Sequence, residues 1–178
     1  MKRSKRYLKN LSLPLAMVKI LAFTDTHGKN SFLDLIAKKS KEAEIIVCCG
    51  DITLFEDNID EILKRLDNLK KPVVIVHGNH ESEESMLELC EGRKNLYFIH
   101  KAHTVIKNIG FFGFGGGGFS ESFPSFNRIM GEMVKDVKRL RKEGNKIVFL
   151  SHAPPYNTSL DSIEHDLDNV GNKSIRTF

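Results

Sequence analysis

The sequence lacks the features of a membrane protein or a disulfide scaffold. No run of about 18 uninterrupted apolar residues occurs, so no transmembrane helix is expected. Cysteine is scarce: Cys48, Cys49 and Cys90 are an odd number in 178 residues, all in apolar settings. Adjacent Cys48 and Cys49 would point to opposite faces of a strand, and no spacing matches a zinc knuckle or a redox pair. The three read as core thiols in a reducing cytoplasm. Internal repeats and a domain linker are also missing. With 40% hydrophobic and 28% charged residues the composition is ordinary globular, which excludes collagen and a disordered tail. The length predicts one domain with a sizeable core.

Charge of one sign is scarce as well, once its location is considered. The formal +4 of the chain includes +5 from Lys2, Arg3, Lys5, Arg6 and Lys9, so residues 17–178 sum to −1. Basicity belongs to an N-terminal extension, 1–16, and the domain spans 17–178. A nucleic-acid partner is therefore disfavoured. The basic start and the apolar stretch 11–23 superficially resemble a signal peptide. Pro14 and Lys19 interrupt that stretch, and no small-residue cleavage site follows before Asp25. A short tail running into a first strand at 18–23 is the better reading, with Met17 as an alternative start.

Apolar β-rich runs then alternate with helical periodicity. The pattern predicts strands at 18–23, 44–49 and 73–76. Between and after them it predicts a helix from about Ser31 with Phe32, Leu35 and Ile36 on one face, a second near 58–69 and a third from Ser82. This βαβαβα order argues for a parallel sheet covered by helices on both faces. Short strands at 96–99, 104–106 and 110–114 suggest an antiparallel stretch. The longest helix, 125–143, carries an apolar stripe and precedes a buried strand at 146–150. The last 28 residues are polar with weak periodicity. The fold class expected is α/β with α+β character.

Functional-looking polar residues share one position, directly after an apolar strand. The first strand leads to Asp25 and His27, the second to Gly50 and Asp51. The third leads to Gly78, Asn79, His80 and Glu81, and the strand at 146–150 to His152. Ligands of open α/β sheets bind at the carboxyl ends of strands, so four loops aim these groups at one edge. Carboxylate, amide oxygen and imidazole together suit Mn, Fe, Zn or Co rather than a thiolate zinc site. Asp51 can bridge two ions, and Asp25 and His27 can reach one ion together. Gly50 and Gly78 allow tight turns. Two ions about 3.5–4 Å apart bind phosphate and activate water for in-line displacement.

Through Asp25-Thr26-His27, Gly50-Asp51, Gly78-Asn79-His80-Glu81 and Ser151-His152, the sequence resembles the calcineurin-like metallophosphoesterase family. Four of the family's five blocks occur in order, over residues 18 to about 156. The resemblance implies a β-sandwich flanked by helices. It implies that Asp25 and His27 bind a first metal, that Asp51 bridges, and that Asn79 and His152 bind a second. His80 would protonate the leaving alkoxide, oriented by Glu81. The expected activity is a two-metal phosphoesterase, with manganese favoured, in which a metal-bridging hydroxide attacks a phosphomonoester or phosphodiester. The partner would be a small phosphate-ester substrate, and the location cytoplasmic.

The family's fifth block, Gly-His-x-His, has no counterpart. His165, within Glu164-His165-Asp166, is the sole histidine downstream of His152 and does not match. The expectation is a domain that lacks its C-terminal strands. Two rivals follow: a degenerate, metal-poor scaffold, and a nuclease or nucleic-acid binder recruited through the basic extension. Elsewhere His77 reads as a packed or polar-bonded residue, and His100 and His103 as ordinary loop or strand residues. The glycine run 113–118 lacks the helix and Lys-Ser/Thr of a P-loop and reads as a turn or bulge.

Overall fold

The computed structural model describes residues 17–117, 120–161 and 169–178. The basic extension, His165 and the last glycine of the 113–118 run lie outside them. Four strands, β1 (Ile20–Phe23), β2 (Ile45–Cys48), β3 (Val73–Ile75) and β4 (Leu96–Phe98), form a parallel sheet in sequence order. The helices α1 (Asn30–Ser40), α2 (Ile59–Asp67) and α3 (Glu83–Cys90) are its crossovers. A second sheet contains β5 (Ala102–Ile106), β6 (Ile109–Phe114) and β7 (Lys146–Ser151), with β5–β6 antiparallel and β6–β7 parallel. The long helix α4 (Pro124–Lys142) connects β6 to β7, and a short helix α5 (Lys173–Thr177) lies near the C-terminus.

The layers follow from side-chain alternation. All four residues of β2 are buried, because both faces of the strand are covered. Ile46 and Cys48 face Leu33, Ile36, Ile62, Leu63, Leu66 and Met86 of the three helices. Ile45 and Val47, with Val74 and Val76, face Ile109, Phe111 and Leu150 of the second sheet. The opposite face of β6 places Phe112 and Phe114 against Phe126, Met133 and Leu140 of α4 and Ile175 of α5. The result is a sandwich of two sheets with helices on its outer faces.

Three sequence expectations need correction. Among the described residues the parallel sheet carries helices on one face, and the second sheet covers the other. Strands added in sequence order by crossovers of one hand put every helix on the same side, leaving the other face free for the second sheet. The strand expected at 96–99 belongs to the parallel sheet, because α3 makes β3–α3–β4 a crossover unit. On α1 the buried residues are Leu33 and Ile36, while Phe32 and Leu35 are exposed. Helix α5 carried no periodic signal because it has five residues. Its start is capped by Asn172, whose side chain accepts from the Ile175 amide.

Candidate metal centre

The parallel pairing of β1 with β2 continues beyond both strands. The amides of Asp25, His27 and Gly28 donate to the carbonyls of Gly50, Asp51 and Ile52 at 3.1, 3.0 and 2.8 Å. The two loops thus leave the sheet zipped together, and Asp25, His27 and Asp51 all adopt left-handed backbone conformations, with φ of 55, 45 and 52°. Such a conformation costs a non-glycine residue about 1–2 kcal/mol and turns its side chain back toward the strand ends. The loop after β3 approaches so closely that side chains are impossible at two points. A Cβ on Gly50 would lie 2.4 Å from the Gly78 amide nitrogen, and one on Gly78 would lie 1.9 Å from an Asp51 carboxylate oxygen.

Buried Glu81 holds these loops in place. Its carboxylate accepts from the amides of Asp51 (3.0 Å), Thr53 (2.9 Å) and Gly78 (2.9 Å) and from the Thr53 hydroxyl (2.8 Å). The resemblance had Glu81 orienting His80. Instead the carboxylate is spent on backbone amides of the Asp51 and Gly78 loops, and its contact is with the ligand scaffold. Asp51 Oδ1 in turn accepts from the amides of Asn79 (2.8 Å) and His80 (3.1 Å), which leaves Oδ2 facing the cleft.

Two histidines are locked with a bare nitrogen toward the same point. His27 Nδ1 faces the Thr53 carbonyl at 3.2 Å and His152 Nδ1 faces the Cys49 carbonyl at 2.9 Å. A carbonyl only accepts, so Nδ1 carries the proton in each ring and Nε2 presents its lone pair. His152 Nε2 lies 3.0 Å from Asn79 Oδ1 and 3.5 Å from Asp51 Oδ2, and His27 Nε2 lies 3.7 Å from Asp25 Oδ1. His80 Nε2 is 3.8 Å from Asp51 Oδ2, and its buried Nδ1 has no hydrogen-bond partner among the described residues. With Nδ1 of His27 and His152 turned to carbonyls, their Nε2 atoms converge with oxygens of Asp25, Asp51 and Asn79, an arrangement that suits a cation. Potential ligand atoms lie within 4.8 Å of one another in two groups, His27–Asp51–His80 and Asp25–Asp51–His152, which share Asp51. Both groups consist of oxygen and nitrogen. Burial pushes the neighbouring Cys48 and Cys49 thiols up, so thiolate ligation is disfavoured here.

All six expected ligand and acid residues, Asp25, His27, Asp51, Asn79, His80 and His152, line one open cavity of about 390 Å³. Beyond this wall, the sequence reading missed a second histidine cluster. His100, in a short loop after β4, is buried against His77 with ring centroids 4.6 Å apart, and its Nδ1 accepts from the Gly115 amide at 2.9 Å. Burial, with His77 beside it, pulls the His100 pKa down to about 4. His77 Nδ1 bonds the Gly78 carbonyl, as a polar-bonded residue, and its own carbonyl accepts from Gly116. The described part of the glycine run therefore packs on the segment that leads to Asn79. Also missed was Phe55, whose ring meets His80 edge-on at 4.5 Å.

A sequence model of the calcineurin-like phosphoesterases matches residues 18–177, nearly all of the domain. The chain belongs to the calcineurin-like phosphoesterase family. Its resemblance extends to the uncharacterized protein MJ1162 of Methanocaldococcus jannaschii, 37% identical over 171 residues, covering 89% of this chain and 72% of the relative. Among solved structures, one crystal structure superposes with a TM-score of 0.71 at 17% identity, covering 89% of this chain and 78% of the other. The crystal structure of TT1561 of Thermus thermophilus gives 0.65 at 16% identity, covering 90% and 76%. At those identities the superpositions speak for the fold. Membership supports a metallophosphoesterase at the level of the family, and the groups that share Asp51 are a candidate metal-binding site. Among the described residues no helix is long and apolar enough to cross a membrane.

Proposed function

We propose that the chain is a phosphoesterase that uses two divalent ions, manganese favoured, to hydrolyse a small phosphomonoester or phosphodiester in the cytoplasm. The observation that carries this reading is the pair of candidate ligand groups that share Asp51. Asp25 and His27 would hold one ion, Asn79 and His152 the other, and Asp51 would contact both. When bound, such ions supply Lewis acidity toward phosphoryl oxygens and a nucleophilic water at neutral pH. The chain's own contributions are orientation and a proton. The carbonyls of Thr53 and Cys49 keep His27 and His152 in the tautomer that ligates. Glu81 keeps the Asp51 and Asn79 loops at fixed spacing. His80, at the rim of the same cavity, would donate its proton to the departing oxygen.

The test is hydrolysis of an aryl phosphate and an aryl phosphodiester with Mn(II), comparing the native chain with His80→Ala. A proton donor contributes about 10²–10⁴-fold, and a loss of that order is expected. Equal rates would remove His80 from the mechanism. Elemental analysis separates this reading from a metal-poor scaffold, for which two tightly held ions per chain should not be found.

A further inference from the structure

We propose that Phe55 forms the wall of the leaving-group subsite, and that the substrate is an ester whose leaving group carries an aromatic ring. This rests on the phosphoesterase reading and on His80 as its acid.

The fold gives no account of Phe55. Among the described residues its side chain belongs to no core cluster, and the residue is 82% exposed. It also has a left-handed backbone with φ of 50°, followed by Glu56 at 65° and Asn58 at 54°. Strained backbone of this kind clusters at ligand clamps and active sites. The neighbouring Leu54 is half-exposed as well.

The turn is anchored. The Glu56 amide donates to the Thr53 hydroxyl at 3.1 Å, and Thr53 is tied to Glu81. The Glu56 carboxylate accepts from the Ser82 amide at 2.7 Å and from the Ser85 hydroxyl at 3.1 Å, just beyond His80 in the chain. Phe55 is thus fixed relative to His80. The His80 imidazole meets two rings edge-on, Phe55 at 4.5 Å and His27 at 5.1 Å. His27 faces the ligand cluster and Phe55 faces solvent.

The chemistry then places the substrate. An acid must come within about 2.6–3.2 Å of the oxygen it protonates. The carbons attached to that oxygen therefore lie beside His80, whose imidazole is in contact with the exposed Phe55 ring. An aromatic leaving group gains offset or edge contacts with Phe55 that an aliphatic group of equal acidity does not.

The experiment compares benzyl and cyclohexylmethyl phosphates, whose leaving alcohols have similar size and acidity, each also offered as its methyl diester, with Mn(II). The readout is the ratio of kcat/KM between the two alcohols for the native chain, Phe55→Ala and Phe55→Tyr. The native chain should favour benzyl by about 3–10-fold, Phe55→Tyr should keep that preference, and Phe55→Ala should bring the ratio close to one. A native ratio near one overturns the proposal. So does a preference that survives in Phe55→Ala, or an equal loss on both esters, which would make Phe55 a support for the His80 ring alone. A native chain inactive on all four esters and on aryl phosphates overturns the phosphoesterase reading itself. Activity with an unmoved ratio overturns only the subsite.

Discussion

One carboxylate, Glu81, determines how far the Asp51 and Gly78 loops stand apart, because it binds both of their amides and both donors of Thr53. Glutamine at this position offers one acceptor oxygen and sets an NH2 group against amides that need acceptors. Glu81→Gln should therefore weaken Mn(II) binding by about 10–100-fold in titration calorimetry, the usual cost of disturbing a ligand's supporting contacts. Unchanged affinity would mean that Glu81 holds loops but not ligands. His100 carries a different signature. With a folded pKa near 4 against an ordinary 6.5, it stays neutral in the native protein while the unfolded chain takes up its proton. The stability tied to its neutral, buried state beside His77 is fully present above pH 6.5 and is lost progressively as pH falls toward 4, with the nearby Glu83 carboxylate opposing the shift. Melting curves at pH 7 and pH 5 should diverge for the native chain, and the divergence should shrink in His100→Phe.

At the scale of elements, the assignment of buried faces is open to a paired test. Phe126 on α4 is fully buried and meets Phe114, Phe149 and Phe178 at 4.6, 5.8 and 5.5 Å. Truncating it to alanine should lower stability by about 3–5 kcal/mol in urea unfolding. Leu35 on α1 has the same apolar character in sequence but lies nearly half-exposed, so Leu35→Ala should stay within about 0.5 kcal/mol. The two results together would establish which helix faces the core uses. Periodicity alone could not separate them, because Phe32, Leu33, Leu35 and Ile36 are all apolar and two overlapping stripes are possible. The layer contacts select Leu33 and Ile36. The parallel strands themselves were legible, since β2 and β3 are continuous apolar runs bounded by turns.

For the whole molecule, the ligand groups join elements far apart in the chain, so ion binding should stabilise the entire domain. At a Mn(II) concentration about 100 times its dissociation constant, linkage adds about 2.7 kcal/mol, or roughly 5–10 °C in melting temperature for a domain this size. Chelator should reverse the shift, and Asp51→Asn should abolish most of it. A melting temperature indifferent to metal would contradict the candidate centre without reference to any substrate. The charge distribution makes a separate forecast. The domain from residue 17 onward carries −1, so deleting residues 1–16 should remove whatever salt-dependent DNA affinity the chain has.

What the sequence determined by itself was the kind of chemistry and its location along the chain. Asp, His, Asn and Glu placed directly after apolar runs are local facts, and parallel strands carry their following loops to one edge. The tertiary structure decided which of those side chains meet and what each one touches. Glu81 binds amides up to 30 residues away, His152 bonds the carbonyl of Cys49 across 103 residues, and an exposed Phe55 meets His80. No local pattern encodes such contacts. They depend on how tightly two loops pack at the end of a sheet, which is set by glycines at the close approach and by backbone strain, and both become visible only when the loops stand side by side.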